Sequence, residues 1–498
     1  MRKQINTEVL FSATKNNRFV VWDAMMGSGK TQTIIEYMLK ESNKIVFGAS
    51  PEKFIYISPY LSEAHRIAGT EAIIGDDTKR PRKVKIGDAQ YEDALLLGDV
   101  MPTFYNLDLP QSTLSFCHPS NQNSDGSKEL GFKHLVENGA NIVSTHNLFK
   151  MLSIATDLGL DLSAYTLVID ECLDTLEVDQ TFTKTELTRW FNNNILSLNE
   201  DGVTVHFHKE NFGRAQEDED TTEGTRYEYI ANACNKGLVY KFGNRLVTKF
   251  DASILSLFKK TIIMTYNYKG SMFDLTLQQQ GINPHVEHFG TTVQDIKHLI
   301  NINQDRKMNS VGVPRNPKTM VADGKYKVLT STYYKADANG TKAVAYPNIC
   351  NFFYNKLFNL WMQKDKVPVE RRLWTCFKND STAIGKGSQR SNRFGTSWIP
   401  FNTKATNDYD NADHLAFLVN VYMQPDFVKC ASHNGFNFSQ DHYALNTLIQ
   451  WLFRSAIRKD QPIDLYIPCS RMRTLLEEWL DGKVITYATN KEETKSYD

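Results

Sequence analysis

The sequence predicts an α/β fold built on parallel sheets, and three observations support this. Short apolar segments alternate with amphipathic segments along the chain, which is the pattern of successive strands and helices. From Arg18 to Leu39 a strand, a glycine loop and a helix follow one another. A second apolar strand begins at Tyr165 and ends in two adjacent acids. Polar groups at the ends of buried parallel strands predict a ligand site at the carboxyl edge of the sheet.

The glycine loop has the features of a phosphate-binding P-loop. Phe19 to Trp22 form the strand, and the helix opens at Lys30. In such a loop the backbone N–H groups surround a β-phosphate, the lysine reaches the β- and γ-phosphates, and the following hydroxyl ligates Mg²⁺. A chance match in a surface loop is the alternative, and the flanking strand and helix disfavour it. The predicted ATP-binding residues are Gly27, Ser28, Gly29, Lys30 and Thr31, and Thr31 is also a predicted metal ligand.

The acidic pair that follows the second strand predicts the hydrolytic half of the same site. Asp170 and Glu171 close the apolar run YTLVID and open the segment ECLD. In P-loop ATPases the first acid holds Mg²⁺ and the second polarises the attacking water. Taken alone, an Asp-Glu pair after a strand is a solvated turn, but the P-loop upstream favours the catalytic interpretation. We therefore predict Asp170 as a metal and cofactor ligand and Glu171 as a catalytic residue.

Composition indicates a globular protein without a strongly charged surface. Hydrophobic residues make up 41% and charged residues 23%, and Lys+Arg and Asp+Glu both total 57. Nucleic-acid binding must therefore come from a local basic groove. No apolar run approaches the roughly 18 residues of a membrane span, and no signal segment follows Met1, so we expect a cytoplasmic protein. The seven scattered cysteines form no Cys-x-x-Cys pair, which argues against structural zinc and disulfides.

Changes in pattern along the chain predict two domains. Residues 75–127 and 204–250 lose their periodicity and are interpreted as insertions, the first with a basic cluster at 79–85 and the second with an acidic run at 217–220. The segment KTIIMTY, starting at Lys260, is expected to close the first sheet. We predict a first domain at 1–275, a connector at 276–320, a second domain at 321–487 and a flexible tail at 488–498.

The second half contributes basic residues and further strands. A cationic loop around Gly385 and Gly387 fits either phosphate-backbone contact or a plain surface loop. A strand with a polar exit is expected from Ser397 to Tyr409. The cationic side chains of the loop around Gly385 and Gly387 are Lys378, Lys386, Arg390 and Arg393.

The segment ALNTLIQWLFRSAIR, from Ala444 to Arg458, predicts a helix with a cationic face. Gln450, Arg454 and Arg458 are four residues apart and would share that face. Two arginines on one stripe suit a clamp on the γ-phosphate from the other domain, and the alternative is a surface helix with solvated arginines. Because the chain also has a P-loop and an acidic pair, we favour the clamp over the surface helix. We therefore predict Gln450, Arg454 and Arg458 as catalytic residues.

The chain resembles a superfamily 2 helicase over nearly its whole length. The resemblance is carried by the order and separation of three motifs, AMMGSGKT, DEC-L-D and Q-x-x-x-R-x-x-x-R. More narrowly, IIMTY, FNTKATNDY and QWLFRSAIR look like the DEAD/DEAH-type helicases encoded by tailed bacteriophages. The resemblance implies two RecA-like domains with parallel sheets flanked by helices, and insertions in the first domain. It also implies ATP and Mg²⁺ as cofactors, nucleic acid (DNA rather than RNA) as partner, possible contacts with other replication proteins, and a place in the host cytoplasm. The residues that it implies along the nucleic-acid path or its coupling elements are Ser58, Pro59, Thr145, His146, Thr265, Tyr266, Thr406 and Asn407.

The chain departs from the family pattern at several positions. Ala24 replaces the first glycine of the usual P-loop motif, and Phe453 replaces the glycine before the first arginine. Cys172 and Leu173 stand where a small residue and then Asp or His are common, so Asp174 is a candidate for that coupling contact. Arg458 lies one position later than the usual second arginine.

The sequence thus predicts an ATP-dependent helicase or translocase with the nucleotide clamped between two domains. A phage packaging motor is a rival, because it also pairs a P-loop with two acids and adds a metal-dependent nuclease. The carboxylates that keep this rival open are Asp408, Asp410 and Asp413. The other rival is a non-motor ATP switch or scaffold. Strong stimulation of ATP turnover by nucleic acid would argue against it.

Overall fold

The computed structural model describes residues 5–42, 51–60, 64, 67, 114, 116–119, 127–155, 159–215, 226–309, 311, 328–338, 349–387, 389–403 and 408–483. Most of the predicted insertion at 75–127 lies outside these residues, and so do the basic cluster at 79–85 and the acidic run at 217–220. Thr406 and Asn407, two of the implied coupling residues, also lie outside them.

A parallel sheet forms the centre of the first half. Within the described residues it has six strands in the order β11-β1-β10-β4-β2-β3, all paired in parallel. The strands are β1 (Phe19–Asp23), β2 (Lys53–Ser58), β3 (Ile142–Thr145), β4 (Tyr165–Asp170), β10 (Lys260–Thr265) and β11 (His285–His288). The helices between them are α1 (Thr7–Asn16), α2 (Lys30–Ser42), α3 (Lys128–Glu137), α4 (His146–Ile154) and α8 (Met272–Gln279).

Both faces of this sheet are buried, which explains why its strands are apolar throughout. Successive side chains of a strand point to opposite faces. Val20 and Trp22 therefore pack with α1 and α2, whereas Val21 packs with α3, α4 and α8 on the other face. The sequence-predicted α/β class with a parallel sheet is confirmed.

The strand Lys260–Thr265 does not close the first sheet, contrary to the sequence-based expectation. It pairs with β1 on one side and β4 on the other, so it lies in the middle of the sheet. The edge strand is β11, which pairs with β1 and lies beyond residue 275. β11 is short and half-exposed, with two histidines at its ends, so its sequence has no buried-strand pattern. The domain limits remain a prediction, but the first sheet extends to His288.

A smaller antiparallel substructure is inserted between β4 and β10, and we refer to residues 175–250 as the insertion. It begins before position 204, because β5 (Leu176–Val178) pairs with β9 (Arg245–Lys249), which also pairs with β8 (Val239–Phe242). A hairpin of β6 (Leu196–Leu198) and β7 (Val205–Phe207) completes it. Its helices are α5 (Lys184–Asn192), α6 (Lys209–Ala215) and α7 (Glu228–Asn235). Trp190 and Phe212 are fully buried in its own apolar core, so the region is a folded unit.

A second parallel sheet forms the centre of the second half. Within the described residues its four strands are ordered β12-β15-β14-β13, and they comprise β12 (Ile300–Ile302), β13 (Arg372–Thr375), β14 (His414–Phe417) and β15 (Ile463–Tyr466). Its larger helices are α12 (Ile349–Leu357), α13 (Lys378–Lys386), α14 (Pro425–His433), α15 (Gln440–Leu452) and α16 (Ser470–Leu480). The short helices α9 (Val293–Ile296), α10 (Arg306–Asn309) and α11 (Ser331–Ala338) complete the described part.

No strand is formed in the described part of the segment from Ser397 to Tyr409, where the sequence analysis expects one. Trp398 makes an isolated bridge to Trp374, and the Ile399 N–H donates to the Trp374 carbonyl at 3.1 Å. Pro400 follows and has no N–H to continue such a ladder. The strand of this region is β14, which starts at His414.

The contacts between the two halves include two groups that lie apart from each other. The first is at the end of β10, where Trp479 of α16 donates to the Tyr266 hydroxyl at 3.1 Å. The second joins the insertion to α14, where the Asn434 side chain accepts from the Tyr240 hydroxyl at 3.1 Å and from Lys249 Nζ at 2.8 Å. No helix in the described part of the chain is long and apolar enough to cross a membrane.

Candidate functional site

The P-loop lies between β1 and α2, as the sequence predicts. Gly27 and Gly29 have φ angles of 78° and 87°, a left-handed conformation that glycine adopts without strain. The Ser28 N–H donates to the Met25 carbonyl at 3.2 Å, which closes the loop. Helix α2 then opens at Lys30, so the loop stands at the positive end of a helix of 13 residues. The geometry is that of an anion-binding loop.

Lys30 points back across its own loop. Its Nζ donates to the Ala24 carbonyl and, at 3.2 Å, to the Met25 carbonyl. Burial lowers the pKa of Lys30 to about 8, the negative charges of Asp170, Glu171 and Asp23 oppose this, and Arg458 lowers it further. Lys30 is therefore close to both predicted acids, and a phosphate could displace the two carbonyls from its amine.

The acidic pair lies at the carboxyl end of β4, two strands from the P-loop strand. Asp170 is the last residue of β4, and the Tyr56 hydroxyl donates to its Oδ2 at 2.9 Å. His146 Nε2 lies 2.8 Å from the Asp170 carbonyl and must carry the proton, since a carbonyl only accepts. A carboxylate of this kind and the Thr31 hydroxyl are hard oxygen donors that suit Mg²⁺.

Glu171 has a backbone conformation that directs it away from the strand. Its φ of 63° is in the left-handed region, which is uncommon for a residue other than glycine. The Glu171 N–H donates to the Met264 carbonyl of β10 at 2.8 Å, and this bond holds the turn. Non-glycine residues in this region concentrate at functional sites.

The helix that carries Gln450 ends earlier than the sequence predicts. Helix α15 stops at Leu452, where the Phe453 N–H bonds the Ile449 and Trp451 carbonyls and Ser455 adopts an extended conformation. The Ala456 N–H then donates to the Ala412 carbonyl at 2.9 Å, which draws the chain away from the helix axis. The prediction that Gln450, Arg454 and Arg458 share one helical face is therefore wrong. Arg458 lies in a separate 3₁₀ turn, Ala456–Lys459.

Arg454 nevertheless reaches the acidic pair from the second half of the chain. Its Nη2 lies 3.8 Å from Glu171 Oε1, and its side chain is only 5% exposed. Burial lowers the pKa of Arg454, whereas Glu171 and Tyr60 raise it. Nε and Nη2 are buried, and neither has a hydrogen-bond partner in the described part of the chain. Two guanidinium nitrogens that are buried without an acceptor are costly, which indicates a place shaped for an additional acceptor.

Arg458 lies against the P-loop instead of beside Arg454. A Cβ built on Gly27 would lie 3.5 Å from Arg458 Cγ and 3.7 Å from its carbonyl oxygen. Gln450 is half-buried in the last turn of α15. The structure thus brings together the P-loop, the acidic pair and both arginines, although the arginines approach from two different turns.

The residues implied along the nucleic-acid path lie at the same edge of the first sheet. Ser58 and Thr145 are paired neighbours at the ends of β2 and β3. Ser58 is fully buried and its hydroxyl donates to the Tyr60 carbonyl at 2.9 Å, while Pro59 follows directly. Thr145 caps α4 by accepting from the Leu148 N–H. They line the edge at which the acidic pair of β4 also ends.

Thr265 ends β10, Tyr266 follows it, and the two residues contact three parts of the site. The Thr265 carbonyl accepts from the Ala24 N–H at 2.9 Å, and its hydroxyl accepts from the Cys172 thiol at 3.3 Å. Tyr266 bonds Trp479 of the second half. Asp174, the candidate of the sequence analysis for the coupling contact, is exposed, while Leu173 is buried in the core.

Sequence reasoning missed several residues of the site. Tyr56 is an interior residue of an apolar strand, and only its pairing beside β4 brings its hydroxyl to Asp170. Asn267, Asn446 and His442 connect the end of β10 to α15. Gly290 lies so close to the P-loop that a Cβ there would be 2.8 Å from Ser28 Cβ. Each of these contacts joins segments that are far apart in sequence, so no local pattern could reveal them.

The remaining charged candidates lie elsewhere. Asp410 pairs with Lys459 at 2.9 Å, and Asp413 accepts from Arg371 Nε at 3.0 Å and contacts His414. No group of three or more metal-binding side chains converges within the described residues. Lys378 and Lys386 lie at the two ends of α13, and Arg393 stacks its guanidinium over Phe358 at 5.4 Å, while Arg390 is exposed.

Comparison with known proteins gives the chain two kinds of relative. Residues 294–480 match the family described as the YonV C-terminal Rossmann-like domain. The SPbeta prophage-derived uncharacterized protein YonV of Bacillus subtilis (strain 168) is 27% identical over 474 residues, which covers 94% of this chain and 99% of YonV. The solved structure XPD_APO superposes with a TM-score of 0.50 at 12% identity, covering 96% of this chain and 98% of that one. The structure XPD_Helicase has a TM-score of 0.44 at 12% identity and covers 96% and 97%.

The fold resembles that of the solved structure XPD_APO. The likeness to XPD_APO extends over both sheets and confirms the predicted architecture of two RecA-like domains with parallel sheets flanked by helices. At 12% identity the likeness concerns the fold. The roles of individual residues must therefore be argued from the geometry above.

Proposed function

We propose that this chain is an ATP- and Mg²⁺-dependent nucleic-acid helicase or translocase that acts on DNA. The observation that carries the proposal is the approach of Arg454 to Glu171 across two sheets, with guanidinium N–H groups that lack acceptors. A site assembled from both domains couples nucleotide chemistry to domain movement, as a motor requires. The fold that the chain shares with XPD-type helicases supports the same conclusion.

The first domain supplies the groups that would hold the substrate. The backbone N–H groups of the P-loop and the Lys30 amine bind the β- and γ-phosphates of ATP. Thr31 and Asp170 hold Mg²⁺, which neutralises the charge on the phosphate oxygens when it is bound. Tyr56 keeps the Asp170 carboxylate in position by its hydrogen bond to Oδ2.

Glu171 and Arg454 act on the reacting groups. Glu171 orients the attacking water and accepts its proton, for which a carboxylate at the end of β4 is well placed. Arg454 donates to the γ-phosphate through the N–H groups that otherwise lack acceptors, and it stabilises the charge that develops during transfer. Arg458, beside Gly27, adds a second positive charge to the phosphate site.

Movement along nucleic acid follows from closure and reopening of the cleft between the domains. Ser58, Thr145 and the turn after β10 line the edge next to the acidic pair, so a strand lying there contacts elements that respond to hydrolysis. The prophage origin of the relative YonV supports a role in phage DNA replication, where contacts with other replication proteins are expected.

Steady-state ATP hydrolysis with single-stranded, double-stranded and forked DNA and RNA tests the proposal. We expect strong stimulation by DNA, and we expect Glu171→Gln to lower turnover by about 10²- to 10⁴-fold, as loss of a general base does. Lys30→Ala should lower it by about 10²-fold or more. Lys40→Ala removes an exposed lysine from the same helix and serves as the matched control.

Different results would replace the proposal by one of its rivals. Hydrolysis that no nucleic acid stimulates would favour a non-motor ATP switch or scaffold. Metal-dependent cleavage of plasmid DNA would favour a packaging motor. Undiminished turnover in Lys30→Ala or Glu171→Gln would refute the assignment of the site.

A further inference from the structure

A chain of polar side chains connects the P-loop strand to the helix that precedes Arg454. It begins at Asp23, the last residue of β1, which is buried. The Asp23 carboxylate accepts from the Asn267 N–H at 2.7 Å and from the Tyr268 N–H at 3.1 Å. Hydrogen bonds to a buried carboxylate are strong, so the turn after β10 is fixed to the base of the P-loop.

Asn267 continues the chain into the second domain. Its φ of 56° is left-handed, a conformation that asparagine tolerates better than most residues and that directs its side chain out of the turn. Its Nδ2 donates to Asn446 Oδ1 on α15, and Asn446 Nδ2 lies 3.5 Å from the Asn267 carbonyl. An amide pair of this kind is directional, so it fixes both the distance and the rotation of α15 relative to β10.

His442 completes the chain one helical turn before Asn446. Asn446 Nδ2 donates to His442 Nε2 at 3.2 Å, which requires a neutral imidazole. His442 is 1% exposed, and burial lowers its pKa to about 4, with a hydrogen bond to the Asn267 backbone acting in the opposite direction. The ring therefore stays neutral near pH 7 and holds the Asn446 amide in one orientation.

The position of this chain relates it to the chemistry of the proposed function. Asn446 lies six residues before Leu452, the last residue of α15, a rise of about 9 Å along the helix, and Arg454 follows two residues later. Asn267 follows Met264 by three residues, and the Met264 carbonyl binds the Glu171 N–H. The amide pair and the Arg454–Glu171 pair thus join the same two structural units at two points.

We propose that Asn267 and Asn446 are positioning residues, which set the distance from Arg454 to Glu171 and the γ-phosphate by fixing α15 to the end of β10. The inference rests on the proposed ATPase function. The hydrogen bonds described for the two side chains join them to each other and Asn446 to His442, so we expect nucleotide binding through Lys30 and Thr31 not to depend on them. We expect closure of the site on the bound nucleotide to depend on both asparagines.

The test compares the wild type with Asn267→Ala, Asn446→Ala and the double variant in the full chain. A displacement of about 1 Å at a reacting group can cost up to about 10²-fold. We expect each single variant to lower kcat about tenfold and to leave the KM for ATP and the Kd for a non-hydrolysable analogue within twofold. The double variant should be no slower than either single variant, because the two residues act as one contact. Thr447→Ala is the control, since the Thr447 hydroxyl bonds only the Tyr443 carbonyl of its own helix.

Amide hydrogen exchange of the nucleotide-free protein provides a readout that does not need hydrolysis. The single variants should exchange faster at Tyr268 and along α15, and Thr447→Ala should not. Unchanged exchange in these segments, unchanged kcat, or losses that multiply in the double variant would each overturn the positioning role. A wild type without ATPase activity would refute the proposed function, while the exchange data would still decide whether the pair holds α15.

Discussion

Arg454 Nη2 lies 3.8 Å from Glu171 Oε1, and the two residues belong to different halves of the chain. Glu171 follows β4 of the first sheet, and Arg454 follows α15 of the second half. The distance between these two atoms is too long for a hydrogen bond, and the guanidinium has N–H groups without an acceptor among the described residues. This is the geometry of a site that is complete only when both domains contribute.

Substitution of Arg454 should reduce turnover much more than nucleotide affinity. A guanidinium that stabilises the transferring phosphoryl group is worth about 10³- to 10⁵-fold in kcat. We expect Arg454→Ala to show a loss within this range, with the Kd of a non-hydrolysable ATP analogue changed less than threefold. Arg454→Lys should recover little, because an ammonium lacks the planar fork. The measurement is nucleic-acid-stimulated ATP hydrolysis.

Arg371→Ala is the matched control for this substitution. Arg371 is half-exposed in the second half of the chain and pairs with Asp413. It should retain wild-type turnover. Arg454→Ala with more than a third of the wild-type kcat would remove Arg454 from the catalytic machinery.

Nucleotide affinity should fall as the pH rises above about 8. Burial lowers the pKa of Lys30 to about 8 without nucleotide, so the amine loses its proton in this range. A bound triphosphate needs the charged amine and raises its pKa, so binding above that pH requires proton uptake. The Kd of an ATP analogue should be constant below about pH 7 and rise by up to about tenfold per pH unit above pH 8.

Lys30→Arg separates this effect from other titrations, because a guanidinium stays charged throughout the range. The variant should bind with a flat pH profile between pH 7 and pH 9.5, whatever its absolute affinity. Equal slopes in the wild type and in Lys30→Arg would show that another group titrates.

Gly290→Ala should disturb the P-loop from the connector that follows β11. A Cβ at this position would lie 2.8 Å from Ser28 Cβ and 2.9 Å from its Oγ, closer than side chains tolerate. Ser28 must then move, and its hydrogen bond with the Thr291 N–H is lost. We expect the Kd for nucleotide to rise about tenfold, equivalent to about 1.4 kcal/mol.

Gly281→Ala controls for backbone strain in this experiment. Gly281 has a φ of +71°, close to the +79° of Gly290, but a Cβ there would meet nothing within 4 Å. Both variants should lose similar folding stability, about 1–2 kcal/mol from the left-handed conformation. Equal nucleotide affinity in the two variants would contradict the proposed contact between connector and P-loop.

Asn434→Ala should loosen the contact between the insertion and α14. The Asn434 side chain accepts from Tyr240 and Lys249, and both donors are in the insertion. Loss of this half-buried acceptor leaves the buried residues Tyr240 and Lys249 without that partner, at a cost of about 1–3 kcal/mol. Amide exchange in β8 and β9 should accelerate in this variant. Asn411→Ala, which removes an exposed acceptor of Lys459, should leave exchange there unchanged, and equal protection in both would argue against a stabilising contact.

The chemical groups of the site could be predicted from the sequence because each is a short local pattern. Glycine spacing before Lys30 and two acids after an apolar strand require only that a strand precede them. Alternating strand and helix patterns likewise predict parallel sheets. The prediction failed for elements without a strong local pattern, such as the polar edge strand His285–His288, and where Pro400 interrupts a strand-like segment.

Only the tertiary structure decided how these groups meet. The residue spacing fits a helix that continues through Arg458. In the structure, hydrogen bonds from Phe453 to its own helix and from Ala456 to Ala412 end α15 at Leu452. The end of the helix and the bond to Ala412 together direct Arg454 to Glu171 and Arg458 to Gly27. The sequence by itself determined a P-loop, an acidic pair and two arginines. Contacts between distant residues decided which arginine faces which group, because side-chain burial and hydrogen bonding across domains have no local signature.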